Sequence, residues 1–491
     1  MKLKLEIGKL EKIRDINPRI LSYNVEMTEV TGGTFWKAYT PEQIAGTEPF
    51  KASLKGFADM SALMQWYEPV DLYSEKLRTL AKGLGESWVR VSGTWATKTY
   101  YDFDNTGAPL GFQNVLKKEQ WIGVLDFVKA INAKLLISVA NCDGLHAHDE
   151  PWNPSEVEKI FNLTKEYGAK IDAVEFVNEP NIISYTGLPK GTTAADFARD
   201  HDIFVKWVRK HSPETLIVGL SSVGEGMESV LAGGNGGQMP AGMNFASTDQ
   251  LLEGTTEKLD VFSYHYYNGI SARGGGSWPA EAATTEMYLG VAPAACKAYI
   301  PVRDRHVPGG EMWVTESGDA GCGGNTWAST FLDVFRTANE LGTFAQLTNG
   351  VIFHNTLASS DYGFVAHTTF NPRPNYWLAH IYTQLMGTTV YDTKEEIREG
   401  AHVFAHSRKD GKDGVCYMIV NNSLTETTTV ELEKEAQVYV LSADSIRNPK
   451  MKLNGVELNL DENNQLPKLN PVTVEAGSLD LAPTTITFIV L

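Results

Sequence analysis

Eight short apolar runs between Ile20 and Thr356, most of them separated by helical periodicity, leave this chain few possible folds. The runs are Arg19 to Met27, Ser87 to Ser92, Ala133 to Ala140, Ala173 to Glu179, Thr215 to Ser221, Leu259 to Tyr267, Glu311 to Ser317 and Gly350 to Thr356. Their length and composition predict buried parallel strands. Intervening patterns such as Ser155-Glu156-Val157-Glu158-Lys159-Ile160-Phe161-Asn162-Leu163 predict helices. Alternation in this number predicts an α/β fold, a (β/α)8 TIM barrel over residues 15–386. An open doubly wound sheet is the alternative, and it lacks its phosphate signature. No GxGxxG follows the first run and no GK[ST] occurs; the glycine runs Gly233–Gly237 and Gly274–Gly276 read as loops.

After about Gly387 the texture changes to short alternating strands separated by polar turns. Val403–His406, Val415–Val420, Val438–Leu441 and Thr485–Val490 predict a C-terminal β-sandwich domain over residues 387–491. Leu3-Lys4-Leu5-Glu6-Ile7 also alternates, so residues 1–14 are expected to add one strand to that sandwich before the chain enters the barrel.

Two glutamates stand at the ends of predicted barrel strands: Glu179 in Val177-Asn178-Glu179-Pro180-Asn181, and Glu316 in Trp313-Val314-Thr315-Glu316-Ser317. A glycoside-cleaving barrel needs two carboxyl groups there, one to protonate the leaving oxygen and one to attack the sugar carbon. Asn178 is placed to reach the sugar hydroxyl next to the reacting carbon. A lone glutamate at a strand end is more often structural; the pair, with Asn178 and eight strands, is what points to catalysis.

Net charge is −17, from 43 basic and 60 acidic residues, which argues against nucleic acid and anionic membranes as partners. It argues more weakly against a long sulfated polyanion as substrate. The N-terminus shows no signal peptide and no spanning run, and the four cysteines, Cys142, Cys296, Cys322 and Cys416, form no CxxC pair. A cytoplasmic location is therefore expected, or a secreted one if a signal has been trimmed away.

Several motifs in order resemble glycoside hydrolase family 79, the β-glucuronidases, heparanases and leech-type hyaluronidases. They are Lys76–Leu84 followed by Val89-Arg90-Val91-Ser92-Gly93-Thr94, then Asn178-Glu179-Pro180-Asn181, His265-Tyr266-Tyr267-Asn268-Gly269 and Thr315-Glu316-Ser317. Asp361-Tyr362-Gly363, Pro374–Leu378 and Leu453–Leu458 follow downstream. The resemblance covers most of the chain. It implies a retaining mechanism on β-linked glucuronic acid, with Glu179 as acid/base, Glu316 as nucleophile, and neither metal nor other cofactor. It further implies that Tyr267 hydrogen-bonds Glu316, that Glu26 holds sugar hydroxyls, and that Thr94 and His265 line the pocket. The backbone N–H groups of Gly323 and Gly324 and the Tyr362 hydroxyl would receive the uronic carboxylate.

The chain departs from the family at His354-Asn355, where Arg-Gln is common, and at Ser92-Gly93-Thr94, where Gly-Gly-Thr is usual. The basic segments with which animal heparanase binds heparan sulfate have no clear counterpart. The expected substrate is thus a small glucuronide or an oligosaccharide ending in glucuronic acid. Endo-cleavage of heparan sulfate or hyaluronan is the alternative, and a non-catalytic carbohydrate-binding protein the alternative from another class. His146-Ala147-His148-Asp149 resembles metal ligands but fits no common zinc spacing. Trp152, Trp278 and Trp327 are either sugar platforms or core.

Overall fold

The computed structural model describes residues 2–51, 60–225, 245–276 and 278–491. The run Gly233–Gly237 lies outside the described residues; Gly274 and Gly275 close a short 3-10 turn after the sixth barrel strand. Eight parallel strands close into a barrel: Leu21–Glu26, Trp88–Ser92, Lys134–Ser138, Ala173–Glu175, Leu216–Val223, Val261–Tyr267, Met312–Gly318 and Ile352–His354. The last pairs with the first, Ile352 opposite Leu21. These are the eight runs expected, within a few residues at their ends. The largest difference is the fourth, whose ladder stops at Glu175, four residues before Glu179.

The helices between strands have local causes. Ala194–His211 starts with a capping box in which Thr193 accepts from the Asp196 N–H. It buries Phe197, Phe204, Val205 and Val208 on one face and ends in Arg209, Lys210 and His211, which complement the helix dipole. Pro374 opens the final barrel helix, Pro374–Leu385, at a position that needs no N–H donor.

The strand beginning at Met386 leads into two further sheets. The larger contains Glu11–Asp15, Met386–Asp392, His402–Arg408, Val415–Asn421, Thr485–Val490 and Ala436–Ser442, with shorter edge strands. The smaller contains Lys2–Lys4, Thr428–Leu432 and Gly477–Leu481. The N-terminal segment therefore supplies two strands, one to each sheet, where one was expected. Ile7–Lys9 forms a 3-10 turn between them.

The larger sheet is apolar on both faces. Val403, Ala405, Tyr417 and Ile419 pack toward the smaller sheet, whereas Phe404, Met418, Val420 and Phe488 join the core that surrounds the barrel. That two-sided burial explains why Val415–Val420 reads as a nearly unbroken apolar run. Among the described residues no helix is long and apolar enough to cross a membrane.

Candidate active site

Strand side chains alternate, so every second residue of each barrel strand points inward. At the N-terminal end those residues form an apolar plug: Trp88, Leu136, Ala173, Val218, Val261, Trp313 and Phe353. One pleat higher the inward positions turn polar, with Arg90, Ser138, Glu175, Ser221, Ser263 and Thr315 all buried. Arg90 Nη2 lies 2.6 Å from Glu175 Oε1, which also accepts from Ser92 Oγ at 2.8 Å and Ser138 Oγ at 2.5 Å. Ser221 Oγ donates to the other oxygen at 2.7 Å. Burial opposes the charge on Glu175, but Arg90 and these hydroxyls outweigh it and hold the carboxyl below its ordinary range.

The catalytic candidates stand above this floor. Thr315 faces inward, its Oγ 2.8 Å from Ser221 Oγ, so a regular strand would turn Glu316 outward. A register shift prevents this: Tyr264 pairs with Val314 and His265 with Glu316, leaving Thr315 as an extra residue. The bulge re-aims Glu316 into the barrel mouth. Its Oε1 accepts from Arg90 Nη1 at 3.1 Å and its Oε2 from the Tyr267 hydroxyl at 2.6 Å.

Glu179 sits across the mouth in the left-handed region at φ 47°, an unusual conformation for a residue with a side chain. A carboxylate oxygen of Glu179 lies within 4.8 Å of one of Glu316, and a ring nitrogen of His265 lies within the same distance of both. His265 Nδ1 is 2.9 Å from Glu179 Oε1 and 3.5 Å from Glu316 Oε2; its Nε2 is 3.3 Å from Arg90 Nη2. A guanidinium only donates, so Nε2 accepts and the network assigns the ring proton to Nδ1, facing the glutamates. Burial pushes the His265 imidazole down to about 4, so the ring is neutral at pH 7. Burial likewise pushes Glu179 up to about 7; Arg90 opposes this and Glu175 adds to it. Glu179 is thus suited to keep a proton, and Glu316 faces two donors, Arg90 and Tyr267.

The other expected residues gather around this pair. Asn178 accepts from Arg90 Nη2 at 2.8 Å. Glu26 ends the first strand and is buried. Burial, then the nearby Glu316 charge, drive its carboxyl well above the usual range. Gly93 lacks a side chain where a Cβ would overlap the Glu26 carboxylate. Thr94 is half-buried in the turn after the second strand. Tyr362 stacks on Tyr267 with ring centroids 6.5 Å apart, and burial keeps its hydroxyl protonated.

Gly323 and Gly324 adopt φ of 83° and 85°. A Cβ on Gly323 would collide with Ser360 and Trp36. The pair is not equivalent, however. The Gly324 N–H already donates to Ala320 O at 3.1 Å, so it is not a free donor for a carboxylate, contrary to the expectation for both glycines. A turn closed by a local 4→0 hydrogen bond is not visible in a glycine pair by itself.

Three residues of this site carried no role in the sequence reading: Arg90, Glu175 and Asn355. A charged residue at an inward position of an otherwise apolar barrel strand was the available signal for the first two. Asn355 Nδ2 lies 2.9 Å from the Tyr267 hydroxyl and 3.1 Å from that of Tyr362. The two histidines near Cys142 diverge: His146 Nε2 meets Asn141 Oδ1 at 2.7 Å, and His148 Nδ1 meets Asp196 Oδ2 at 3.4 Å. Trp152 and Trp327 are buried, so neither is a sugar platform. Trp278 is partly buried, its indole N–H on Asn268 O at 2.8 Å.

No protein-family model matches the chain. Among curated proteins it is 25% identical over 469 residues to a hyaluronoglucuronidase of Hirudo nipponia, covering 86% of this chain and 90% of that one. It is 24% identical over 484 residues to heparanase-like protein 1 of Arabidopsis thaliana, covering 86% and 85%. Among solved structures, a 4-O-α-L-rhamnosyl-β-D-glucuronidase of Fusarium oxysporum superposes with TM-score 0.65 over 100% of both chains at 11% identity, a likeness of fold. Fold and relatives define the class: the chain is a glycoside hydrolase built on a (β/α)8 barrel with a β-sandwich. Within that class it is similar to heparanase-like proteins and resembles family 79.

Proposed function

We propose that this chain is a retaining β-glucuronidase that removes terminal β-linked glucuronic acid from small glucuronides or oligosaccharides. The carrying observation is the separation of the Glu179 and Glu316 oxygens, within 4.8 Å. Retaining enzymes hold their carboxyl groups ~5–5.5 Å apart, whereas inverting ones need ~6.5–9.5 Å to admit a water. Glu316 attacks the anomeric carbon while Glu179 gives its proton to the departing glycosidic oxygen. The Glu179 carboxylate then takes a proton from water, which attacks the same carbon and frees Glu316. Neutral His265 donates across the pair, and Arg90 balances the charge on Glu316 from below.

Tyr362 and the Gly323 N–H are the candidate donors to the uronic carboxylate. Terminal action is supported by the segment after the first strand, which backs this side of the pocket. The Tyr39 hydroxyl donates to Gly324 O at 3.0 Å and Arg273 Nη2 to Lys37 O at 2.7 Å. Internal cleavage of hyaluronan or heparan sulfate is the second reading, in view of a hyaluronoglucuronidase and a heparanase-like protein among the relatives.

The test is kcat/KM on matched p-nitrophenyl β-glucuronide and β-glucoside, NMR of the first-formed anomer, and product sizing on hyaluronan and heparan sulfate oligomers. Release of β-glucuronic acid with a preference of at least ~10³ for the uronide supports the reading. α-Product, or equal rates on the two sugars, overturns it, and internal fragments select the second reading.

A further inference from the structure

Asn355 stands between two phenols that do different work, and its orientation follows from a chain of donors and acceptors. Asn24 Nδ2 lies 3.0 Å from the Thr315 carbonyl and 3.0 Å from Asn355 Oδ1. A backbone carbonyl only accepts, so the Asn24 amide cannot be turned around. Its Nδ2 therefore fixes Asn355 Oδ1 as the facing acceptor, which leaves Asn355 Nδ2 toward the phenols. With two hydrogens, that nitrogen donates to Tyr267 at 2.9 Å and to Tyr362 at 3.1 Å. Each phenol oxygen is then an acceptor on its Asn355 side, and its own proton must point elsewhere. The Tyr267 proton goes to Glu316 Oε2 at 2.6 Å. The Tyr362 proton pairs with no acceptor among the described residues and is left to the pocket.

We infer that Asn355 is a positioning residue that sets the polarity of both phenols, holding the Tyr267 proton on the nucleophile and presenting the Tyr362 proton to the uronic carboxylate. It couples nucleophile charge to substrate reading through one amide. All four residues are buried, so water is a poor substitute for the lost donor. The inference rests on the retaining-glucuronidase reading above for its substrate arm, and only on the nucleophile role of Glu316 for the other.

The experiment substitutes Asn355→Leu, alone and in Tyr362→Phe and Tyr267→Phe backgrounds, and measures pH profiles of kcat/KM on the matched glucuronide and glucoside. The groups facing Glu316 are Arg90, His265, Glu179, Tyr267, Glu26 and Tyr362, none of them substituted in Asn355→Leu alone. The expected result is a loss of roughly ten- to hundredfold on the glucuronide, largely in kcat, with a smaller loss on the glucoside. The acid limb should move to higher pH, as the Tyr267 hydroxyl is no longer held on Glu316 Oε2. Further loss of selectivity should vanish in the Tyr362→Phe background, and the limb shift should vanish in the Tyr267→Phe background.

Equal losses on both sugars with an unmoved acid limb, or additive effects in both backgrounds, would overturn the inference. Asn24→Ala, which frees the Asn355 amide to turn without touching either phenol, should reproduce both signatures in weaker form and serves if Asn355→Leu does not fold. A wild-type enzyme with no glucuronide preference would refute the substrate reading separately, while the acid limb still decides the Tyr267 arm.

Discussion

Arg90 Nη2 and Glu175 Oε1 lie 2.6 Å apart at the floor of the site, fully enclosed by the barrel. Removing one partner of such a pair leaves the other charge buried without compensation, which typically costs about 3–5 kcal/mol. Arg90→Leu should therefore destabilise the protein by that order as well as abolish activity. Arg90→Leu with Glu175→Leu should be less destabilising than Arg90→Leu alone. Urea denaturation of the three variants checks this; a double variant worse than the sum of both singles would show that the pair is not what holds the floor.

Glu316→Gln removes the attacking carboxylate and should abolish turnover of activated and natural substrates alike. Glu179→Gln should spare the first step for a good leaving group, which needs little protonation, and slow it for a poor one. Pre-steady-state rates on p-nitrophenyl and alkyl glucuronides distinguish the roles. Equal losses on both in Glu179→Gln would reassign the acid.

The proton on Glu179 gives a signed pH prediction. Burial raises its carboxyl from 4.5 to about 7, so the folded protein binds more protons than the unfolded chain between those values. That contribution is present at low pH and is lost as pH rises through about 7. Activity on poor leaving groups should fall above the same point, and Glu175→Gln should move that limb to lower pH, because the Glu175 charge helps raise Glu179. Glu179→Gln should raise the melting temperature at pH 8 relative to wild type, and do so less at pH 5. An unchanged difference between the two pH values would contradict the shift.

The sandwich shares a core with the barrel. Gly342, in the helix Val334–Leu347, lies against the Phe404 ring, which a Cβ would overlap. Gly342→Val should cost about 1–3 kcal/mol through overpacking. A chain ending near Gly387 would expose Phe404's partners and should be insoluble. A soluble, fully active barrel without the later residues would show a detachable module instead.

Local pattern was enough for the architecture. Buried strands and amphipathic helices imprint runs and periods on the chain, so eight strands and the change of texture near Gly387 could be read directly, though Glu179 lies four residues beyond the strand end expected for it. The mouth of the barrel required the tertiary structure. Glu316 points inward because its strand gains one residue against its neighbours, and a single-residue slip leaves no trace in hydrophobic periodicity.

Arg90 and Glu175 are 85 positions apart in the chain, Asn24 and Asn355 331 apart. Their partnership exists only once the barrel closes. Gly324 differs: its N–H is engaged locally, by Ala320 four residues back, through a turn that the glycine pair does not announce. Periodicity reports which side chains avoid water, because that depends on near neighbours along the chain. Which donor meets which acceptor depends on strand register and ring closure, and those are set by contacts between segments hundreds of residues apart.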